Sequence, residues 1–336
     1  MDKIKIGVIG VGHLGRFHVS NYKNIPDADI VGVYDANPAR CEEIANEFHV
    51  PMYSQVDALI KDIQAASIVV PTSFHFDIAR KCFEQGIHCL VEKPVTTTLA
   101  EADELLQIAK RRNLIFQVGH IERFNPAILA LNDFQLNPMF IESHRLASFN
   151  PRGTDVAVVL DLMIHDIDII LNLVKSPVNK IDASGVAVIS NEVDIANARL
   201  SFENGGVANV TASRISQKAM RKMRLFQRSG YIGIDFLQKF SEVYRLVGQD
   251  DAAQLQPNQF PIELGQVDQF NRPLKIIYER REVPEANALK MELESFLHCI
   301  RDGNQPVVSG EQGREALRVA IEITEKIKAQ ISRLMP

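Results

Sequence analysis

The feature that most restricts this chain is the run Ile4-Lys5-Ile6-Gly7-Val8-Ile9-Gly10-Val11-Gly12-His13-Leu14-Gly15. A short apolar β-rich segment ends in glycines at 10, 12 and 15, and an amphipathic helical stretch follows over 14–24. In a strand–turn–helix unit the first glycine permits the tight turn, the second lets the backbone approach a pyrophosphate, and the third lets the helix pack closely on the strand. The first amides of the helix, at His13 and Leu14, offer donors and partial positive charge to a phosphate. Asp35 stands twenty residues beyond Gly15, at the end of the next β-rich run. A carboxylate there accepts hydrogen bonds from both ribose hydroxyls of NAD and repels a 2′-phosphate, so NAD is expected rather than NADP. Arg40 is near enough in sequence to soften that preference.

The pattern around this turn repeats. Apolar β-rich runs lie at 4–9, 30–34, 66–70, 88–92 and 115–119, and amphipathic helical stretches at 14–24, 39–48, 76–85 and 99–112. Near-continuous apolar strands alternating with helices imply a parallel sheet covered on both faces, and right-handed crossovers make it doubly wound. After Gly119 the pattern changes. A helix is expected near Asn125 and Pro126, a strand over 139–146, and a helix over 159–174. Strands follow in series at 183–189, 197–202, 206–213 and 225–228, with Asn204-Gly205 as a hairpin signal. The polar, Gln- and Pro-containing stretch 248–273 reads as a loop, and helices close the chain at 287–301 and 311–333. The expected fold is thus α/β followed by α+β. A Rossmann domain over 1–122 precedes a domain over 123–336 built on a large, mainly antiparallel open sheet, which binds substrate and forms oligomers. At roughly 100–200 residues per domain, 336 residues fit two domains.

Three groups carry chemistry. The loop Pro71-Thr72-Ser73-Phe74-His75 follows a strand end, where ligands bind in this architecture, so Pro71, Thr72 and His75 are expected beside the cofactor. For His75 a capping role competes with ligand contact. Glu92-Lys93-Pro94 ends the strand at 88–92, because Pro94 cannot continue a central strand. Lys93 is placed near the nicotinamide. From position alone it is either a proton shuttle with a lowered pKa or an exposed lysine at a strand end. In the helix at 159–174, Asp161, His165 and Asp168 share a face by their spacing of four and three. A carboxylate beside an imidazole orients it as an acid/base; a satisfied core histidine is the competing reading. No second His/Cys set is visible, so no metal is expected. Asp166 falls off that face and reads as a solvent or interface residue.

Composition removes other classes. A formal net charge of -5 argues against nucleic acid as a partner. No apolar run approaches the ~20 residues of a membrane span, and no signal peptide is evident. The cysteines (Cys41, Cys82, Cys89 and Cys299) lack CxxC spacing and read as buried free thiols of a cytoplasmic protein. Arg214, Lys218, Arg221 and Lys222 form a basic cluster. Arg123, Arg145 and Arg152 add cations that either bind phosphate or form a solvated face.

Together these residues resemble the glucose–fructose oxidoreductase/inositol dehydrogenase/MocA family over nearly the whole chain. The resemblance rests on the glycine turn, the loop at 71–75, Glu92-Lys93-Pro94, Asp161 with His165, and the closing helix followed by Gln305-Pro306-Val307-Val308-Ser309-Gly310. Gly119-His120-Ile121-Glu122-Arg123-Phe124-Asn125-Pro126, the segment 155–168 and Ala208-Asn209-Val210-Thr211-Ala212-Ser213-Arg214 look like the members that act as UDP-N-acetylglucosamine 3-dehydrogenases. The resemblance implies an NAD-dependent dehydrogenase that oxidises a secondary hydroxyl of a sugar, at C3 of UDP-N-acetylglucosamine. It makes Lys93 and His165 the acid/base pair, with Asp161 orienting His165. Glu92 and Lys93 also join Gly10, Gly12, His13, Leu14, Gly15, Asp35, Pro71, Thr72 and His75 at the cofactor. Arg123, Asn125, Arg152, Asp161 and His165 are the expected substrate contacts. A homodimer or homotetramer through the second-domain sheet is implied. A dehydrogenase of a free sugar, inositol or other polyol and a non-catalytic NAD-binding sensor are the alternatives.

Overall fold

The computed structural model describes residues 2–149, 156–228, 230–248, 262–269, 272–282 and 286–334. Two compact units emerge. Residues 1–124 and 287–318 form the first, and 125–286 with 319–336 form the second. Residues 287–318, expected with the second domain, group with the first unit.

The first unit holds a five-stranded parallel sheet in the order β2-β1-β3-β4-β5. Its strands are β1 (Ile4–Ile9), β2 (Ala28–Tyr34), β3 (Ala65–Ile68), β4 (His88–Glu92) and β5 (Phe116–Gly119). β3 and β5 are buried at every position, as a sheet covered on both faces requires. The crossovers are α1 (His13–Tyr22), α2 (Pro38–Phe48), α3 (Val56–Asp62), α4 (His75–Glu84) and α5 (Leu99–Arg111). Local chemistry sets their starts. Asn37 caps α2 by accepting the Ala39 and Arg40 amides, with Pro38 at the first helical position. Thr98 and Glu101 form a capping box on α5. The seven-residue α3 has no counterpart in the sequence reading, since it is shorter than the window over which helical periodicity shows. The helix α8 (Ala288–Asp302) adds Leu289, Leu293, Phe296 and Leu297 to the core that also contains Ile4, Ile6, Val8 and Leu90.

The second unit is built on a nine-stranded sheet in the order β13-β14-β12-β11-β10-β6-β9-β8-β7. The strands are β6 (Phe140–Leu146), β7 (Val178–Val186), β8 (Ile195–Phe202), β9 (Val207–Ser213), β10 (Met220–Gln227), β11 (Gly230–Asp235), β12 (Phe240–Val247), β13 (Ile262–Gln269) and β14 (Arg272–Glu282). β6 and β9 pair in parallel, and every other pairing is antiparallel. The stretch expected as a loop over 248–273 instead contains β13 and the start of β14. Alternation of burial along β6 and β8, and along β9 up to Ala212, gives the sheet one covered face. On the opposite face, Phe140, Phe226, Tyr231, Tyr244 and Tyr278 form a row across five strands, with ring centroids 4.9–5.7 Å apart. Short α6 (Pro126–Leu129) and α7 (Ile164–Val174) belong to this unit. The final helix α9 (Gly310–Leu334) begins in the first unit and ends in the second.

The cysteines are buried free thiols, as expected. Among the described residues, no helix is long and apolar enough to cross a membrane.

Candidate active site

The strand order of the first unit reverses between β1 and β3. In open parallel sheets the ligand crevice lies beyond the strand C-termini at such a point. Gly10 follows β1 with φ of +88°, and a Cβ there would fall 2.6 Å from the Val69 carbonyl oxygen. A Cβ on Gly15 would fall 2.0 Å from the Gly10 carbonyl oxygen, so this contact of helix with turn admits only hydrogen. At Gly12, by contrast, a Cβ would meet nothing within 4 Å. Gly12 caps α1 without any side-chain hydrogen bond. The turn is therefore tight at Gly10 and Gly15 and open at Gly12, where the first amides of α1, among them those of His13 and Leu14, have no acceptor within the helix.

Asp35 is held rigidly beside it. Its Oδ2 accepts the Val11 amide at 2.8 Å and its Oδ1 accepts the Asn37 amide at 2.9 Å. Arg40 donates from Nε to the Val11 carbonyl at 2.9 Å and pairs with Glu43 at 2.7 Å. The Arg40 guanidinium is thus engaged by the turn itself.

The loop after β3 forms a single tight turn at Thr72–Phe74. Pro71 is exposed and Thr72 half-buried. His75, expected as a cofactor contact, opens α4 and is buried, with 1% exposure. Its Nδ1 lies 2.9 Å from the Pro94 carbonyl oxygen and its Nε2 lies 2.9 Å from that of Val70. Both ring nitrogens thus face backbone carbonyls, and in the neutral ring one of them carries the proton that its carbonyl accepts. Burial pushes the imidazole below its ordinary pKa, against the opposing pull of the two carbonyls and of Glu92. The unfolded chain then takes up the proton first. The stability this contributes is full above about pH 6.5 and is lost as pH falls toward the depressed native value, with a slope of at most about 1.4 kcal/mol per pH unit. Urea unfolding between pH 7.5 and 5.5 should show a shallower acid-side decline for His75→Phe than for the parent; an unchanged slope would refute this assignment.

At the end of β4, Glu92 is 8% exposed and also turns inward. Its Oε1 lies 3.1 Å from Nε2 of the fully buried His18 on α1, and its Oε2 accepts the Lys93 amide at 3.3 Å. Lys93 itself is half-buried, and its peptide bond to Pro94 is cis. The glycine turn, Asp35, the loop at 71–75 and Lys93 thus share the C-terminal end of one sheet. The side chains of His75 and Glu92, both expected at the cofactor, make contacts inside the first unit. His18 was not anticipated; its signal is a lone histidine on the buried face of α1.

In the second unit the helix expected over 159–174 begins with a widened π-type turn at Val159–Met163 before α7. Asp161 lies in that turn and His165 in the first turn of α7, both half-buried. Asp168, placed on the same face by its spacing, is 1% exposed. Asp166, expected at solvent or an interface, is 2% exposed. It accepts Arg145 Nε at 2.6 Å and Nη2 at 3.2 Å. The correction has a simple cause: α7 packs on the covered face of β6, from which Arg145 reaches it.

That pairing commits Arg145 to the interior rather than to a phosphate. Arg123 is also buried, within the first unit. Asn125, expected at the substrate, uses both polar atoms of its amide inside the second unit: Oδ1 accepts the Ala127 amide and Nδ2 donates to the Phe236 carbonyl. It caps α6. Arg214 is buried, donating to the Val156 carbonyl near Asp194. Lys222 is exposed and pairs with Asp235 at 3.1 Å. Arg152 lies outside the described residues. No group of three or more His, Cys, Asp or Glu able to hold a metal occurs among the described residues.

Residues 4–120 match the oxidoreductase family with an NAD-binding Rossmann fold, and residues 140–232 match the GFO/IDH/MocA C-terminal domain. The UDP-N-acetylglucosamine 3-dehydrogenase of Acidithiobacillus ferrooxidans is 36% identical over 334 residues, covering 99% of this chain and 100% of that protein. A solved structure of that enzyme superposes with a TM-score of 0.86 at 35% identity, covering 98% of this chain and 99% of that one. The myo-inositol 2-dehydrogenase of Thermotoga maritima is 26% identical, with 94% of this chain and 93% of that protein covered. The scyllo-inositol dehydrogenase of Lactobacillus casei, at 22% identity and a TM-score of 0.76 over 98% of this chain and 97% of that one, shares the fold. The chain therefore belongs to the glucose–fructose oxidoreductase/inositol dehydrogenase/MocA family of NAD-binding Rossmann-fold oxidoreductases.

Proposed function

We propose that this oxidoreductase oxidises a secondary hydroxyl of a nucleotide sugar, at C3 of UDP-N-acetylglucosamine, with NAD. The full-length relationship to the Acidithiobacillus enzyme carries the substrate reading, at an identity above that to the inositol dehydrogenases. The chemistry supplied by the bound dinucleotide is acceptance of a hydride. The residues of the chain handle the proton. Lys93 and His165 are the acid/base groups for the sugar hydroxyl, and Asp161 orients His165 and stabilises its charged form. The glycine turn and the N-terminus of α1 hold the pyrophosphate.

Cofactor choice rests on Asp35. Its fixed negative charge favours ribose hydroxyls and disfavours a 2′-phosphate, while Arg40 is occupied by the turn. Asp35→Ser is expected to raise the ratio of NADP to NAD efficiency by about tenfold or more, as relief of a charge repulsion. Comparing kcat/KM for both dinucleotides measures this, and an unchanged ratio would place discrimination elsewhere.

The inositol dehydrogenase relatives support a second reading, a free polyol as substrate. NADH formation with UDP-N-acetylglucosamine, other UDP-sugars and free inositols separates the two. The nucleotide sugar is expected to give the highest kcat/KM. A free polyol turned over faster would reverse the assignment, and no turnover on any of them would favour a sensor. The free thiols fit a reducing cytoplasm. The aromatic row on the open sheet face fits a homodimer or homotetramer, which sedimentation can test.

A further inference from the structure

We propose that His18 and Glu92 form a positioning pair for Lys93; the inference rests on the reading of Lys93 as an acid/base group. Glu92 lies on a central strand, and a carboxylate there loses most of its hydration and persists only with donors around it. Its donors are the ring of His18 and the amide of Lys93. Room for the carboxylate comes from Gly119 at the end of β5. A Cβ there would fall 2.8 Å from the Glu92 carboxyl carbon and 2.8 and 2.9 Å from its oxygens. The adjoining peptide is met from another element, since His75 on α4 lies 2.9 Å from the Pro94 carbonyl.

Stability does not explain this arrangement. A buried polar pair of this kind can often be replaced by apolar side chains with little loss or a gain. What distinguishes the pair is its two ends. One is α1, whose N-terminus opens at the glycine turn; the other is the backbone of Lys93. The pair therefore ties the position of the lysine to that of the dinucleotide turn, and a displacement near 1 Å at a reacting group can cost about 10²-fold in rate.

The test compares the parent enzyme with Glu92→Gln, Lys93→Met, the combination of those two, and the apolar replacement His18→Leu/Glu92→Met. kcat is measured at saturating NAD and UDP-N-acetylglucosamine, NADH affinity by fluorescence titration, and folding by thermal melting. Glu92→Gln is expected to lower kcat about 10–100-fold with NADH affinity within about threefold. Because the pair acts through Lys93, adding Glu92→Gln to Lys93→Met should change the residual rate by less than about threefold. The apolar replacement should melt near the parent temperature and keep the low kcat; it decides the matter if Glu92→Gln does not fold. Losses that multiply in the combined variant, an apolar variant with parental kcat, or NADH affinity falling in step with kcat would each overturn the proposal. Near-parental turnover by Lys93→Met alone would overturn the reading of Lys93 instead.

Discussion

Lys93→Met is expected to reduce turnover by about 10²–10⁴-fold, the range typical for loss of a general acid/base, while the protein still binds NADH. Methionine keeps an unbranched, flexible side chain one atom shorter than lysine and removes the terminal amine with its charge and its proton. Lys93 is half-buried at the end of β4, whereas the tightness of the glycine turn comes from the backbone contacts of Gly10 and Gly15. Binding by fluorescence titration and kcat by NADH absorbance should therefore separate. A variant that kept near-normal turnover would remove Lys93 from the chemistry. A variant that lost NADH binding in proportion to kcat would make it a cofactor ligand.

The largest stability effect is expected at Asp166→Ala. Asp166 and Arg145 are 2% and 3% exposed, joined by two hydrogen bonds between α7 and β6. Removing the carboxylate takes the Asp166 charge away from a buried guanidinium, a defect that costs about 3–5 kcal/mol in comparable buried pairs. At roughly 2–4 °C per kcal/mol for a chain of a few hundred residues, the melting temperature should fall by about 10 °C. Arg145→Met/Asp166→Leu should recover most of this, since both desolvated charges are then gone. If Asp166→Ala melted within a degree or two of the parent, the ion pair would not be stabilising this helix against the sheet.

Much of the fold was legible because its signals are local. β1 and β4 have the bounds expected from sequence, since strands buried in a parallel sheet read as unbroken apolar runs flanked by glycine or proline. The glycine turn was legible for a related reason: Gly15 answers to the Gly10 carbonyl five residues away and Gly10 to the backbone just after β3, while Gly12 lines the open side of the turn. What was not legible depends on distant partners. Asp166 was assigned to solvent from its angle on a helix, but Arg145 lies 21 positions earlier on a strand whose pairing the sequence does not display. His18 could not be separated from an ordinary core histidine without Glu92, 74 positions away. For His75 and Asn125, expected at cofactor and substrate from their place in a motif, the sequence does not display the backbone atoms beside them: the Pro94 and Val70 carbonyls at His75, and the Ala127 amide and Phe236 carbonyl at Asn125. β13 was missed because Ile262–Gln269 mixes charge, glycine and apolar residues without a clean alternation.

The return of α8 to the first unit has a consequence for the order of events during synthesis. Domains ordinarily fold as they emerge from the ribosome, the N-terminal one first. Here the hydrophobic cluster around β1 stays incomplete until Leu289, Leu293, Phe296 and Leu297 arrive, after the whole nine-stranded sheet has been translated. The nascent nucleotide-binding half must therefore wait with an uncovered apolar seam while its neighbour is made. A shortened chain ending near residue 122 would keep that seam permanently, so such a fragment should be found in inclusion bodies rather than in solution.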